Sequence, residues 1–223
     1  MTEIVAHRGF SGRFPEHTPQ AFEEALALPI HGIECDVRLT PKGELVVAHD
    51  PVQSAEGLML IDDLLDLITA HPDKHLYIET KHPSRFGPEV EEQTLRALRY
   101  HRLHDSERIH LISFSHRAVR YFTEFAPQLE TFYLFNLRER RWNPKNVMWS
   151  KPYGVGPGIS HLMAKPELLG YRGLKTYTWT VNKPIEMQWC ADHGVDVMAT
   201  DLPDLALATM SAHGTKETEE AED

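Results

Sequence analysis

Short apolar runs bounded by Gly, Pro, Asn or Asp alternate with longer runs whose apolar residues recur three and four positions apart. The short runs read as strands and the longer ones as amphipathic helices. Glu3 to Ala6 is a first strand. Thr18 then caps a helix from Pro19 to Leu26, with proline in the first turn, where its missing N–H costs nothing. Gly32 to Val37 is a second strand, Pro41 to Glu44 a turn, and Leu45 to Ala48 an extended return. A helix from Asp62 to Ala70, a strand from Leu76 to Glu79 and a long helix from Pro88 to His101 follow. Ile109 to Ser113 and Thr131 to Phe135 read as strands on either side of a helix from His116 to Phe125. Residues 138–158, rich in Arg, Lys, Trp, Pro and Gly, show no readable period; one strand and a helix from Pro166 to Tyr171 are placed near there. The alternation resumes with strands Lys175 to Val181 and Val195 to Ala199, each followed by a helix, Pro184 to Asp192 and Pro203 to Met210.

Roughly eight β-then-α units predict an α/β chain folded as a single (β/α)8 TIM-type barrel, with a doubly wound sheet as the competing class. A length of 223 residues suffices for one sizeable core, and no low-complexity linker divides it. Polar residues at strand ends separate the two classes. His7, Glu34, Asp36 and Glu79 sit in the C-terminal halves or at the ends of three successive strands. A barrel brings such positions to one mouth, whereas an open sheet spreads them along a line.

Charge narrows the partners. The net charge is −10, and residues 214–223 hold one lysine against five acidic residues, which predicts a solvated, disordered tail after a barrel of residues 1–213. The remainder is still acidic, so a nucleic-acid partner is not expected. The two cysteines, Cys35 and Cys190, have no metal or disulfide spacing. Neither a basic-then-apolar leader nor a long apolar span is present, so the expectation is a cytoplasmic protein without an integral membrane segment. Fourteen histidines is a high count; most are expected on the surface or in loops, and those at strand ends carry the weight.

Ile33-Glu34-Cys35-Asp36-Val37 is a strand with two carboxylates on one face, because residues two apart in a strand point the same way. Adjacent buried carboxylates repel and lose hydration, and a divalent cation that takes oxygen ligands resolves both problems. Glu79, at the end of the next strand, is a third ligand of the same kind. Lys81 places a positive group beside them. His7 suits proton transfer near neutral pH, and the planar guanidinium of Arg8 suits two phosphate oxygens at once. His49 supplies a second imidazole, and two proton-transfer groups flanking phosphorus suit in-line displacement. Trp179 either lines the mouth or packs in the core. Asp201 and Asp204, next to the last helix, read as capping residues. The set describes a cation-assisted phosphodiester site with one divalent cation, Mg2+ or Ca2+.

Val5-Ala6-His7-Arg8-Gly9, Pro15-Glu16-His17-Thr18, Ile33 to Val37, Val47-Ala48-His49-Asp50-Pro51, Ile78-Glu79-Thr80-Lys81, Thr178 to Asn182 and Thr200 to Asp204 together resemble the glycerophosphodiester phosphodiesterase family, in order and along nearly the whole chain. The resemblance implies a TIM-type barrel, a divalent cation on Glu34, Asp36 and Glu79, and acid/base roles for His7 and His49. It places Arg8 and Lys81 on the phosphate, in a reaction that turns a glycerophosphodiester into glycerol 3-phosphate and an alcohol. The chain departs from the family pattern twice. His17 stands where the family usually has Asn, and its role is open. Only Val52 to Ile61 separates Pro51 from the next helix, where the family commonly carries an insertion. The short loop keeps a second reading open: similarity to spider-venom-type phospholipase D enzymes, which act on lysophospholipids or sphingomyelin, often with cyclic phosphate formation. A third reading is a non-catalytic barrel that binds its ligand. Chain association is not legible.

Overall fold

The computed structural model describes residues 2–136 and 142–220, with side chains as far as Ala212. Its strands are β1 (Glu3–Ala6), β2 (Gly32–Leu39), β3 (Leu45–Val47), β4 (His75–Thr80), β5 (Ile109–Ser113), β6 (Glu130–Phe135), β7 (Gly154–Pro157), β8 (Lys175–Thr178) and β9 (Val197–Thr200). Eight of them are parallel and follow the order β1-β9-β8-β7-β6-β5-β4-β2, and pairing of β1 with β2 closes the ring. β3 adds to β2 as an antiparallel edge, with Val37 opposite Val47. Helices α1 (Pro19–Leu26), α2 (Ile61–Thr69), α3 (Glu89–Tyr100), α4 (His116–Phe125), α5 (Pro144–Ser150), α6 (Ile159–Ala164), α7 (Pro184–Asp192) and α8 (Pro203–Glu220) alternate with them. The fold is the (β/α)8 barrel.

Two hydrophobic layers follow from strand alternation. Outward residues such as Ile33, Cys35 and Val37 pack with Phe22, Leu64, Leu98 and Phe122 of the helices. Inward residues form a separate cluster of Val5, Tyr77, Ile112, Phe132, Leu134, Tyr177, Val197 and Ala199 inside the ring. The inner face of β2 reads Gly32, Glu34, Asp36 and Arg38, so its carboxylates enter the ring above this cluster.

The unread segment is where small residues are required. A Cβ at Gly154 would lie 2.3 Å from Phe132 Cε1, and one at Gly156 would lie 2.2 Å from Leu134 Cδ2. β7 therefore gives up side chains so that β6 can fill the interior, and Gly-Val-Gly-Pro carries no strand pattern. Residues 137–141 lie outside the described residues. The helix expected from Pro166 to Tyr171 is replaced by two 3₁₀ turns, Pro166–Leu168 and Tyr171–Gly173, separated by Gly170 at φ +59°. Residues 214–220 of the expected tail continue α8 as helix, and 221–223 lie outside the described residues. Among the described residues no helix is long and apolar enough to cross a membrane.

Gly32 fixes the entry of β2. A Cβ there would stand 2.2 Å from the carbonyl oxygen of His75, a backbone atom that cannot swing away. Gly32→Ala is expected to cost about 1–3 kcal/mol by forcing β2 from β4. A chemical denaturation curve with an unchanged midpoint would contradict that spacing.

Candidate active site

The β2–β4 register sets Asp36 directly beside Glu79, and Glu34 one pleat below beside Tyr77. One oxygen from each of Glu34, Asp36 and Glu79 lies within 4.8 Å of the others, and all three residues are buried. Burial, with Asp36 and Glu79 alongside, holds the Glu34 carboxyl well above its ordinary range. Burial and Asp36 push Glu79 up to about 8, against the pull of Lys81. Asp36 goes the other way. Burial opposes its charge, but Lys81, His17 and Arg8 together hold its carboxyl below the usual range. Both Asp36 carboxylate oxygens are buried without an aligned hydrogen bond from the protein. Three convergent hard oxygen donors, two of them raised by burial and by one another, make a set that fits a divalent cation.

The surrounding cations come from the loop after β1 and from the end of β4. Arg8 adopts φ +59°, a left-handed conformation that costs a non-glycine residue roughly 1–3 kcal/mol. That turn aims its backbone N–H at Glu34 Oε2 (3.0 Å) and its Nε at Asp36 Oδ2 (3.1 Å), while Nη1 donates to Glu16 (2.8 Å). His17 is also left-handed, at φ +59°, and its Nε2 accepts the backbone N–H of Asp36 at 3.2 Å. Burial pushes this ring down to about 4, so the neutral imidazole acts as a backbone acceptor. An Asn side chain reaches the same left-handed backbone readily and also carries an acceptor oxygen. Lys81 places Nζ 3.1 Å from Asp36 Oδ1 and 2.8 Å from Glu79 Oε1.

His7 follows β1. Its Nδ1 is 2.7 Å from Asp201 Oδ1, and its Nε2 lies 3.9 Å from Glu34 Oε2. Asp201 also accepts from Ser11 Oγ (3.0 Å) and from Asn182 Nδ2 (2.6 Å). Burial would raise the Asp201 carboxyl, but the hydrogen bond and charge of His7 prevail and hold it at about 2. This corrects the capping assignment of Asp201: the residue holds the ring of His7. Asp204 pairs with Arg13. Ser11 was not singled out from sequence, and Asn182 entered only as the end of the Thr178 to Asn182 segment; both lie in the loops that follow β1 and β8.

His49 lies just beyond β3, half-exposed, with Nδ1 2.9 Å from Asp50 Oδ1. Arg38 Nε donates to its carbonyl oxygen at 2.6 Å. His7, Arg8, His49, Glu79, Lys81 and Trp179 all line one cavity of about 570 Å³. Trp179 commits its indole N–H to the carbonyl of Gly156 (3.0 Å) and packs edge-on against Phe114, so it offers the cavity an apolar wall. Glu34 and Asp36 do not line this cavity but lie buried beside Glu79, which does; Arg38, Phe114 and Asn136 join the lining unforeseen.

Buried hard-oxygen ligands beside two imidazoles and two cations, at the C-terminal mouth of a barrel, define a phosphoric diester hydrolase class of site. The glycerophosphoryl diester phosphodiesterase family model matches residues 7–54 and 51–205, and the chain belongs to that family. The two matched segments meet in the short loop after Pro51. A probable glycerophosphodiester phosphodiesterase 1 of Mycobacterium tuberculosis is 30% identical over 247 aligned positions, covering 90% of this chain and 89% of the relative. A glycerophosphodiester phosphodiesterase of Bacillus altitudinis is 28% identical, covering 93% and 97%. Among solved structures, a glycerophosphodiester phosphodiesterase from Parabacteroides distasonis superposes with a TM-score of 0.83 at 23% identity, over 97% of this chain and 98% of that one. An Oleispira antarctica phosphodiesterase in complex with the product sn-glycerol-3-phosphate superposes with a TM-score of 0.82 at 18% identity, covering 95% and 97%.

Asp201→Asn tests the hold on His7. An amide can present N–H to Nδ1 and so favour the wrong tautomer, and kcat is expected to fall by roughly a hundred-fold or more. The linkage has a definite sign. A carboxyl depressed from 3.8 to about 2 contributes stability above its unfolded pKa and loses it as pH falls from about 4 to 2. The parent protein should therefore lose more stability than Asp201→Asn across that window. Matching acid-unfolding curves, with unchanged kcat, would remove Asp201 from this role.

Proposed function

We propose that this chain hydrolyses glycerophosphodiesters to glycerol 3-phosphate and an alcohol, using one divalent cation, Mg2+ or Ca2+, and acid/base catalysis by His7 and His49. The observation that carries the reading is the juxtaposition of the buried Glu34, Asp36 and Glu79 set with a histidine whose Nδ1 is held by Asp201. The names of its relatives, and the glycerol 3-phosphate in the Oleispira antarctica structure, support the substrate class.

Glu34, Asp36 and Glu79 would hold the cation, which when bound supplies positive charge to the phosphoryl oxygens. Asp201 on Nδ1 favours the tautomer of His7 whose Nε2 lone pair is directed to the carboxylate end of the cavity, where it can take a proton from the attacking hydroxyl. His49, more exposed, gives a proton to the departing alkoxide. Lys81 Nζ sits between Asp36 and Glu79 and can turn an N–H to a phosphate oxygen. Arg8 keeps N–H donors beyond those aimed at Asp36 and Glu16. Trp179 and Phe114 exclude water from one wall of the cavity. Cys35 and Cys190 are free and buried, which suits a reducing compartment, and the cytoplasm is the proposed location.

The short loop from Val52 to Ile61 favours a second course at the same site, in which a substrate hydroxyl attacks. A glycerol hydroxyl next to the phosphate-bearing carbon is already close to phosphorus and gains a large effective concentration over water. The new O–P bond forms as the bond to the head-group alcohol breaks, a cyclic phosphate appears first, and a lysolipid chain on the glycerol is tolerated at the open mouth.

Phosphorus NMR of the products decides between the two. Glycerol 3-phosphate should form from a glycerophosphodiester when Mg2+ or Ca2+ is present and not after chelation, and His7→Ala and His49→Ala should each lower kcat by roughly 10²–10⁴-fold. A substrate lacking the adjacent hydroxyl should turn over normally if water attacks, and at least roughly a hundred-fold more slowly if the hydroxyl does. Full turnover in excess chelator, or near-parental kcat in either histidine variant, would contradict the proposed mechanism. No turnover of any diester with cation supplied would favour a barrel that only binds.

A further inference from the structure

At the opposite end of the barrel three histidines converge. His31 immediately precedes β2, His75 opens β4 and His110 is the second residue of β5. They enter from strands that are consecutive around the ring, at the N-terminal ends. One nitrogen of each lies within 4.8 Å of the others. His75 Nδ1 and His110 Nε2 are 2.8 Å apart, so one ring must lend the other its proton. The rings of His31 and His75 lie with centroids 3.8 Å apart, tilted 31° to each other. The rings are half-buried at His31 and His75 and buried at His110, where Tyr77 lies flat against the ring at 4.2 Å.

The carboxylates around this cluster are arranged as they are around histidine-bound metals. Glu130 Oε2 is 3.1 Å from His110 Nδ1, the nitrogen that faces away from His75. Glu3 Oε2 is 3.2 Å from His31 Nε2. A ligating histidine characteristically turns its other nitrogen to such a carboxylate, which fixes the tautomer and raises the basicity of the ligand. Lys175 then balances Glu130 at 3.6 Å. A cavity of about 1090 Å³ opens over the rings, so an ion has an entry path and a free coordination position.

We propose that His31, His75 and His110 form a second cation site, specific for a borderline divalent transition ion of the zinc type, that clamps the N-terminal ends of β2, β4 and β5. Imidazole nitrogen suits zinc and not Mg2+ or Ca2+, whereas the carboxylate set at the other mouth has the reverse preference. Zinc–nitrogen bonds of about 2.0–2.1 Å in a tetrahedron separate ligand nitrogens by roughly 3.3 Å. The His75–His110 contact therefore opens by only a few tenths of an ångström. The bottom of such a barrel serves stability and not chemistry, so the ion acts on the fold. This inference does not rest on the proposed hydrolase activity.

Zinc chloride is the probe, added to the full chain in excess Mg2+. Equilibrium dialysis should give one zinc per chain, and the melting temperature should rise by roughly 5–10 °C at a hundredfold excess over Kd. His31→Gln and His75→Gln, at half-buried positions, should abolish both effects. Glu130→Gln should weaken zinc binding by roughly ten- to a hundred-fold. Glu79→Gln should retain both effects, since it alters only the opposite mouth. Imidazole nitrogen NMR of the unmodified protein needs no folded variant: one equivalent of zinc should move the signals of exactly these three rings. Absence of binding, unmoved ring signals, or zinc lost in Glu79→Gln but kept in His75→Gln would overturn the site.

Discussion

Mutual repulsion among Glu34, Asp36 and Glu79, buried inside the ring of strands, is the constraint around which this mouth of the barrel is arranged. Each carboxylate loses hydration there, and the register of β2 against β4 prevents them from moving apart. The chain answers with Arg8 and Lys81, yet burial and the neighbouring acids still raise Glu34 and Glu79 above the ordinary carboxyl range. The strained backbone at Arg8 and His17 belongs to the same arrangement. Both residues adopt left-handed conformations, and both thereby touch Glu34 or Asp36.

The barrel interior is layered along its axis. The imidazoles of His31, His75 and His110 lie at one end, Tyr77, Phe132 and Tyr177 fill the middle, and the carboxylates lie at the other end. The aromatic layer separates two polar ends of different donor chemistry, oxygen above and nitrogen below. It also gives the carboxylates a floor of low dielectric, which strengthens every charge interaction in the cavity above.

The parts of the fold legible in the sequence were those where local pattern and tertiary role agree. Glu34 and Asp36 stand two apart within an apolar run, and that spacing alone places them on one face of a strand. Thr18 and Pro19 mark the start of α1, where Thr18 Oγ1 accepts the backbone N–H of Ala21. β7 was expected near residues 138–158 but without bounds, because its inward positions must be glycine to admit Phe132 and Leu134. Asp201 was misread as a cap because its partner, His7, is 194 positions away in the chain. The histidine cluster was passed over for the same reason: His31, His75 and His110 lie far apart in sequence, and only the closed ring brings their strand entrances together.

The central claim is that the carboxylate cluster is incomplete without a divalent cation, and proton release tests it most directly. Calorimetric titration of the chelator-treated protein with Mg2+ or Ca2+ at pH 7, in buffers of different ionisation enthalpy, counts the protons displaced on binding. With Glu79 held at about 8 and Glu34 raised above its ordinary range, binding should release about one proton or more per ion, and Glu79→Gln should release fewer. Binding without proton release, or no saturable binding at all, would contradict the account.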